Sequence, residues 1–166
     1  MKPTGVTAAA DRTIMQPLSI KRIVVGTDFS EGSDAALDAA FSFAVAHKAV
    51  VDLVHVVEPG VLFAPVSLGA MPLADGPELF EEIDRALALR AGQAQAAGLV
   101  CQTNSLQGFP PGELVRHAKK TGADLIVVGT HGRTGITHAV LGSVAERVVQ
   151  RASCPVLVIP QGRDAN

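Results

Sequence analysis

Tryptophan and tyrosine are absent from this 166-residue chain, and phenylalanine occurs only six times. Positive charge does not make up for the missing rings, because 14 Lys and Arg stand against 16 Asp and Glu, a net charge of −2. A chain with neither a basic field to draw phosphates nor aromatic platforms to stack bases is a poor nucleic-acid binder, so nucleic acid is excluded as a partner. Cysteine is equally scarce. Cys101 and Cys154 lie far apart and form no CxxC pair, which argues against zinc, a redox dithiol and a disulfide framework. Both are read as small buried hydrophobes. Long apolar runs are missing too: hydrophobic residues make up 48% of the chain, yet none of the runs approaches a membrane span of about 20 residues. Lys2 and Arg12 precede no apolar block with a small-residue cleavage site, so the expectation is a cytoplasmic protein that does not engage a membrane.

What is present is an alternation of short apolar runs with amphipathic segments, in a chain of one-domain length. Residues 1–19 mix Pro, Gly, Thr and Ala without a period and read as a flexible leader, within which Met15 offers a second start. The domain is expected over 20–161, with a tail at 162–166. Ile23–Gly26 reads as a buried strand that ends at Thr27, Asp28, Phe29 and Ser30. Ser30 is placed to cap a helix with Ala36, Leu37, Ala40, Phe43 and Ala44 inward. Val50–Val57 is a second strand. The segment from Glu58 to Pro77, with four prolines and three glycines, shows no period and is unusually long for a loop, hence mobile or functional. Leu79, Phe80, Ile83, Ala86, Leu87, Ala91 and Ala94 mark a helix that closes near Gly98, with Glu81, Asp84 and Arg85 on its polar face. A weaker strand is expected over Leu99–Thr103. Pro110 and Pro111 then open a helix with Leu114, Val115 and Ala118 inward, ending on Lys119, Lys120 and a left-handed Gly122. Leu125–Val128 is the fourth strand, Ser143–Arg151 a helix with Val144, Ala145, Val148 and Val149 inward, and Val156–Ile159 the fifth strand. Nearly all-apolar strands alternating with helices predict an α/β fold, a doubly wound parallel sheet with helices on both faces and ligands at the carboxyl ends of its strands.

The most informative stretch is Ala123–Ser143, ADLIVVGTHGRTGITHAVLGS. A strand runs into Gly129, two residues separate it from Gly132, nine more lead to Gly142, and Ser143 opens a helical pattern. Glycines let backbone N–H groups approach a ligand, and the first turn of the following helix adds unpaired donors and partial positive charge. Such a place suits the phosphates of a nucleotide. The competing reading is that the glycines only shape a turn and that Ser143 and Glu146 form a capping box which satisfies the helix from within. GTHGRTG lacks the Gly-Lys-Ser/Thr ending of a P-loop, and no G-x-G-x-x-G follows the first strand, which disfavours NAD and FAD.

This glycine spacing, together with TDFS at Thr27–Ser30, HV at His55–Val56 and CPVLVIP at Cys154–Pro160, resembles the universal stress protein family in its nucleotide (ATP)-binding branch, over roughly residues 21–160. The resemblance implies five strands in the order 3-2-1-4-5, so that Asp28 and Gly129 meet at the switch point between strands 1 and 4. It implies phosphate and ribose contacts at Gly129, Gly132, Gly142 and Ser143, adenine held by the backbone at Val56, and a role for Asp28 at the nucleotide. It also implies ATP as ligand, with ADP and AMP as alternatives, and a homodimer through Val156–Ile159. That strand carries no charge to discourage pairing at an edge.

From the residues themselves, Asp28 is placed to hold Mg²⁺ against phosphate oxygens, or else to start the next helix as a turn residue. Thr27 is a further candidate there. Arg133 either pairs with a phosphate or is a solvated loop charge. His55 reads as a satisfied core histidine, His131 sits inside the glycine loop, and His138 reads as surface. Three functions follow: a stress-response protein acting as a nucleotide-dependent switch or sensor, a weak ATP hydrolase or phosphotransferase, and a dimeric interaction protein that binds no nucleotide. The second lacks a general base and the several positioned charges of fast phosphoryl transfer, so no catalytic residue is assigned. The intact glycine motif weighs against the third.

Overall fold

A computed structural model describes residues 18–59, 77–130 and 141–160. Most of the expected leader and of the Glu58–Pro77 segment, the tail, and the candidates Gly132, Arg133, His131 and His138 lie outside the described residues.

The elements alternate as the apolar pattern requires: β1 (Arg22–Gly26), α1 (Glu31–His47), β2 (Val50–Val57), α2 (Pro77–Ala96), β3 (Cys101–Gln107), α3 (Pro110–Thr121), β4 (Leu125–Gly129), α4 (Ser143–Arg151) and β5 (Val156–Ile159). All the pairings are parallel and the sheet order is β3-β2-β1-β4-β5, the order implied by the family resemblance. Because side chains alternate along a strand, each central strand feeds two cores. Ile23, Val25, Val51, Leu53, Leu125 and Val127 pack with α1 and α2 on one face. Val24, Val54, Ile126 and Val128 pack with α3 and α4 on the other. A sheet covered twice explains why β1 and β4 read as apolar runs.

The helix ends follow local chemistry. Ser30 is the N-cap of α1, its hydroxyl accepting from the Ser33 N–H at 3.3 Å. Gly122 closes α3 at φ 65°, a left-handed geometry that costs glycine little. Three expectations need correction. The third strand starts two residues later than Leu99 and runs on to Gln107, because its partner β2 offers a backbone ladder from Val51 to Val57 that polar residues can join as well as apolar ones. Phe43 is 37% exposed and Val149 48% exposed, although both were expected inward. Each lies roughly 70° from the centre of its helix's inward stripe at about 100° per residue, on the margin where burial depends on the neighbouring layer.

Candidate functional site

At the carboxyl ends of β1, β2 and β4 the chain leaves a cavity of about 810 Å³, within the range of about 300–1,000 Å³ usual for small-molecule sites. It opens between β1 and β4, whose connections run to opposite sides of the sheet, and the start of α4 forms one wall. Of the residues singled out from the sequence, Thr27, Asp28, Val56, Gly129, Gly142 and Ser143 all line it.

Thr27 and Asp28 follow directly on β1. The Thr27 N–H donates to the Val54 carbonyl at 2.9 Å, and its hydroxyl lies 3.0 Å from the Ser33 hydroxyl inside the first turn of α1. Asp28 takes up the turn role open to it in the sequence: its Oδ1 accepts from the Ser30 N–H at 3.1 Å and the Ser30 hydroxyl at 2.5 Å. A carboxylate has lone pairs for more than these two bonds, so this duty and a place on the cavity wall coexist. Phe29 sits at φ 65°, a left-handed conformation that costs a non-glycine residue roughly 1–2 kcal/mol.

Gly129 has a second reason to be glycine. A Cβ there would stand 2.7 Å from the Gly32 carbonyl oxygen, so the missing side chain lets the start of α1 press against the end of β4. The capping box considered for α4 does not form. Gly142, not Ser143, is the N-cap, and no side chain caps the helix. Glu146 does not reach back; its Oε1 accepts from Gln150 at 3.2 Å. Its N–H is satisfied by the Gly142 carbonyl at 2.9 Å, and the Gly142 N–H donates to the Thr130 carbonyl at 2.8 Å. Among the described residues no acceptor takes the N–H groups of Ser143, Val144 and Ala145, and all three residues line the cavity. That is an anion-accepting helix end opening onto a hollow.

His55 is the core histidine the sequence suggested: it is 9% exposed, its Nδ1 lies 2.7 Å from the Thr27 carbonyl, and its ring stacks on Phe29 at 4.5 Å. Sequence reasoning missed Ser33, which is buried on the cavity wall. Its only signal was a second hydroxyl three residues after the N-cap. It missed Arg90 of α2 as well, whose guanidinium lies 5.0 Å from the centre of the Phe29 ring.

Among the described residues no group of three or more His, Cys, Asp or Glu side chains is placed to hold a metal. Asp28 thus belongs to no described cluster of three such groups. That donor set fits Mg²⁺ shared with phosphates, which takes one or two carboxylates, and does not fit an all-protein metal cage. Both cysteines are free and outside the cavity. Burial, and behind it the negative charge of Asp52, pushes the Cys101 thiol up to about 11. Cys154, expected buried, is only half-buried at the edge of the sheet, just ahead of β5; burial and then Asp124 raise its thiol. No described helix is long and apolar enough to cross a membrane.

Comparison with known proteins places this geometry. The model of the universal stress protein family matches residues 19–160. Universal stress protein MJ0531 of Methanocaldococcus jannaschii is 40% identical over 142 residues, covering 84% of this chain and 81% of that one. Universal stress protein YxiE of Bacillus subtilis is 32% identical over 147 residues, covering 83% and 97%. Among solved structures, hypothetical protein MJ0577 superposes with a TM-score of 0.74 at 27% identity, covering 88% of this chain and 99% of that one. A universal stress protein in complex with cAMP superposes with a TM-score of 0.63 at 29% identity, covering 87% and 99%.

Proposed function

The chain belongs to the universal stress protein family, and on that premise we propose that it binds an adenine nucleotide, ATP with Mg²⁺, in the cavity between β1 and β4 and acts as a nucleotide-dependent switch. The observation that carries this is the first turn of α4, where Ser143, Val144 and Ala145 line the hollow and their N–H groups have no acceptor among the described residues. Three amides and the positive end of a helix dipole favour a phosphate there. Val56, Ile83 and Leu114 give a base an apolar wall. The related protein crystallised with cAMP supports adenine as that base. Gly132 and Arg133 enter the proposal through the sequence motif alone.

Mg²⁺ at Asp28 would offset phosphate charge beside a wall that also carries Glu58 and Glu146. Bound nucleotide would change a surface that partner proteins read. The same reading includes a two-fold dimer through β5, which pairs with β4 on one side and whose four residues are all only partly buried. Light scattering at micromolar concentration should give twice the chain mass, and a monomer would remove the dimer from the proposal.

Calorimetry tests the binding. Wild type should take up Mg-ATP saturably, and Gly132→Val, which puts a side chain where the motif calls for bare backbone, should bind at least about tenfold more weakly. Indistinguishable titrations of the two proteins would sink the proposal, and sustained turnover by wild type would replace a switch with an enzyme. A direct complement is to denature the purified protein and identify any nucleotide released.

A further inference from the structure

Two non-glycine residues among those described adopt positive φ, Phe29 and Lys48. Lys48 is the C-cap of α1, a usual place for the left-handed region. Phe29 ends no helix. It lies between Asp28 on the cavity wall and Ser30 at the start of α1, and a bulky ring is an uncommon occupant of that conformation.

Four elements hold it there. The Phe29 N–H donates to the Thr27 hydroxyl at 3.0 Å, just beyond β1. Its ring stacks on His55 of β2, with centroids 4.5 Å apart and planes 30° apart. The Arg90 guanidinium of α2 lies 5.0 Å from the ring centre. Arg90 is itself pinned by Asp34 in the first turn of α1, at 2.9 and 3.3 Å. His55 closes the circuit through its 2.7 Å contact with the Thr27 carbonyl. The chain reversal that sets Thr27 and Asp28 against the cavity is thus maintained by a ring whose contacts all come from outside the turn itself.

We propose that Phe29 is a positioning residue of the nucleotide site: its ring, held by His55 and Arg90, keeps the strained reversal that presents Asp28 to the metal-bound phosphates. The proposal rests on the nucleotide reading above and deepens it. Loss of the ring lets residue 29 relax into an ordinary region of backbone space, and Asp28 turns with it.

The test is calorimetry with Mg-ATP on wild type and three variants. Phe29→Ala removes the ring and leaves a residue that disfavours left-handed backbone, and should bind about tenfold more weakly. Because Phe29 acts through Asp28, that loss should shrink when the titration is repeated with ATP in EDTA. Phe29→Trp keeps a ring and should retain wild-type affinity. In a chain without tryptophan or tyrosine its emission should also shift when nucleotide is added. Arg90→Met, which removes the cation and leaves the ring, should weaken binding about threefold. If Phe29→Ala does not fold, the Phe29→Trp emission and the Arg90→Met titration decide. A Phe29→Ala protein that binds Mg-ATP as wild type does overturns the proposal, as does an equal loss with and without Mg²⁺, or an emission blind to nucleotide together with a wild-type Arg90→Met titration. Wild type that binds no nucleotide overturns the parent reading instead, and the two failures are told apart by that first titration.

Discussion

The two ends of this sheet are built from the same five strands and treat their polar groups in opposite ways. At the amino end, Asp52 is 1% exposed and receives two bonds from the Arg22 guanidinium, at 2.7 and 2.9 Å. Asp124 accepts from the backbone N–H groups of Lys21 and Arg22 at 2.7 and 3.0 Å. His117 of α3 brings its Nε2 to 3.4 Å from Asp52, and that nitrogen is the one buried side-chain polar atom among the described residues without a hydrogen bond. Charge at this end is turned inward and largely neutralised by protein. At the carboxyl end Thr27, Asp28, Ser33 and the first-turn residues of α4 line a hollow, and the turn that carries Asp28 is strained. The lesson is that burial alone does not mark a site. Asp52 is more deeply buried than Asp28, yet its partner is already in place, whereas the open end offers donors with no acceptor of their own among the described residues.

Substitutions at each end should separate the two roles. The largest effect is expected for Asp52→Ala, which leaves Arg22 and His117 facing an apolar gap. It should cost about 3 kcal/mol, at the low end for a broken buried pair because Arg22 keeps some contact with water. Denaturant titration reads that loss, while the nucleotide affinity of the folded fraction should stay unchanged. A fall in affinity would mean that the two ends are coupled.

Gly129→Ala comes next, at about 2 kcal/mol, because the added Cβ meets backbone that cannot rotate away. It should lower stability and nucleotide affinity together, since the same displacement moves Ser33 and Thr27; stability lost without affinity would detach the α1 contact from the site. Ser143→Asp should do the reverse of Asp52→Ala. A carboxylate in the first turn of α4 supports the helix by about 0.3–1 kcal/mol. It should also repel phosphate and weaken Mg-ATP about tenfold in calorimetry. A melting temperature at or above wild type with unchanged affinity would contradict the placement of phosphate at α4.

An effect confined to alkaline pH belongs to Cys101, at the amino end of β3. Its thiol is raised to about 11 in the folded protein, above its ordinary value of 9.0, so the unfolded chain gives up that proton first. Cys101 therefore contributes stability that is present below pH 9 and is lost as pH rises towards about 11. Denaturant midpoints of wild type and Cys101→Ala, compared from pH 8 to 10.5, should converge as pH rises. Parallel curves would show that the thiol is not buried in solution.

The architecture was legible because it is periodic. Apolar runs of strand length between amphipathic segments mark buried strands and covering helices wherever they occur, and Ser30 and Gly122 carried the caps their chemistry favours. Strand order was not in the periodicity; it came with the family resemblance and the structure has it so. Asp52 could have been noticed, since a charge within VVDLVHVV must find a buried partner, but nothing local says that the partner is Arg22. For Gly129 the spacing pointed to a loop that admits ligand, and the structure adds the Gly32 carbonyl that uses the same space. Ser143 was ambiguous between cap and ligand donor. A one-residue shift of the helix start, to a cap at Gly142, leaves its first-turn amides without the side-chain partner that a capping box would have supplied.

By itself the sequence determined what depends on neighbours along the chain: which stretches are strands or helices, and the caps at Ser30 and Gly122. Only the tertiary structure decided what depends on residues far apart in sequence meeting in space. It set Arg90 against Phe29 across 61 residues and Arg22 against Asp52 across 30, and it brought the start of α4 to the ends of β1 and β2. The reason is physical: local backbone preferences act within a turn or two, whereas a cavity, an ion pair or a strained reversal exists only where packing forces separate segments together.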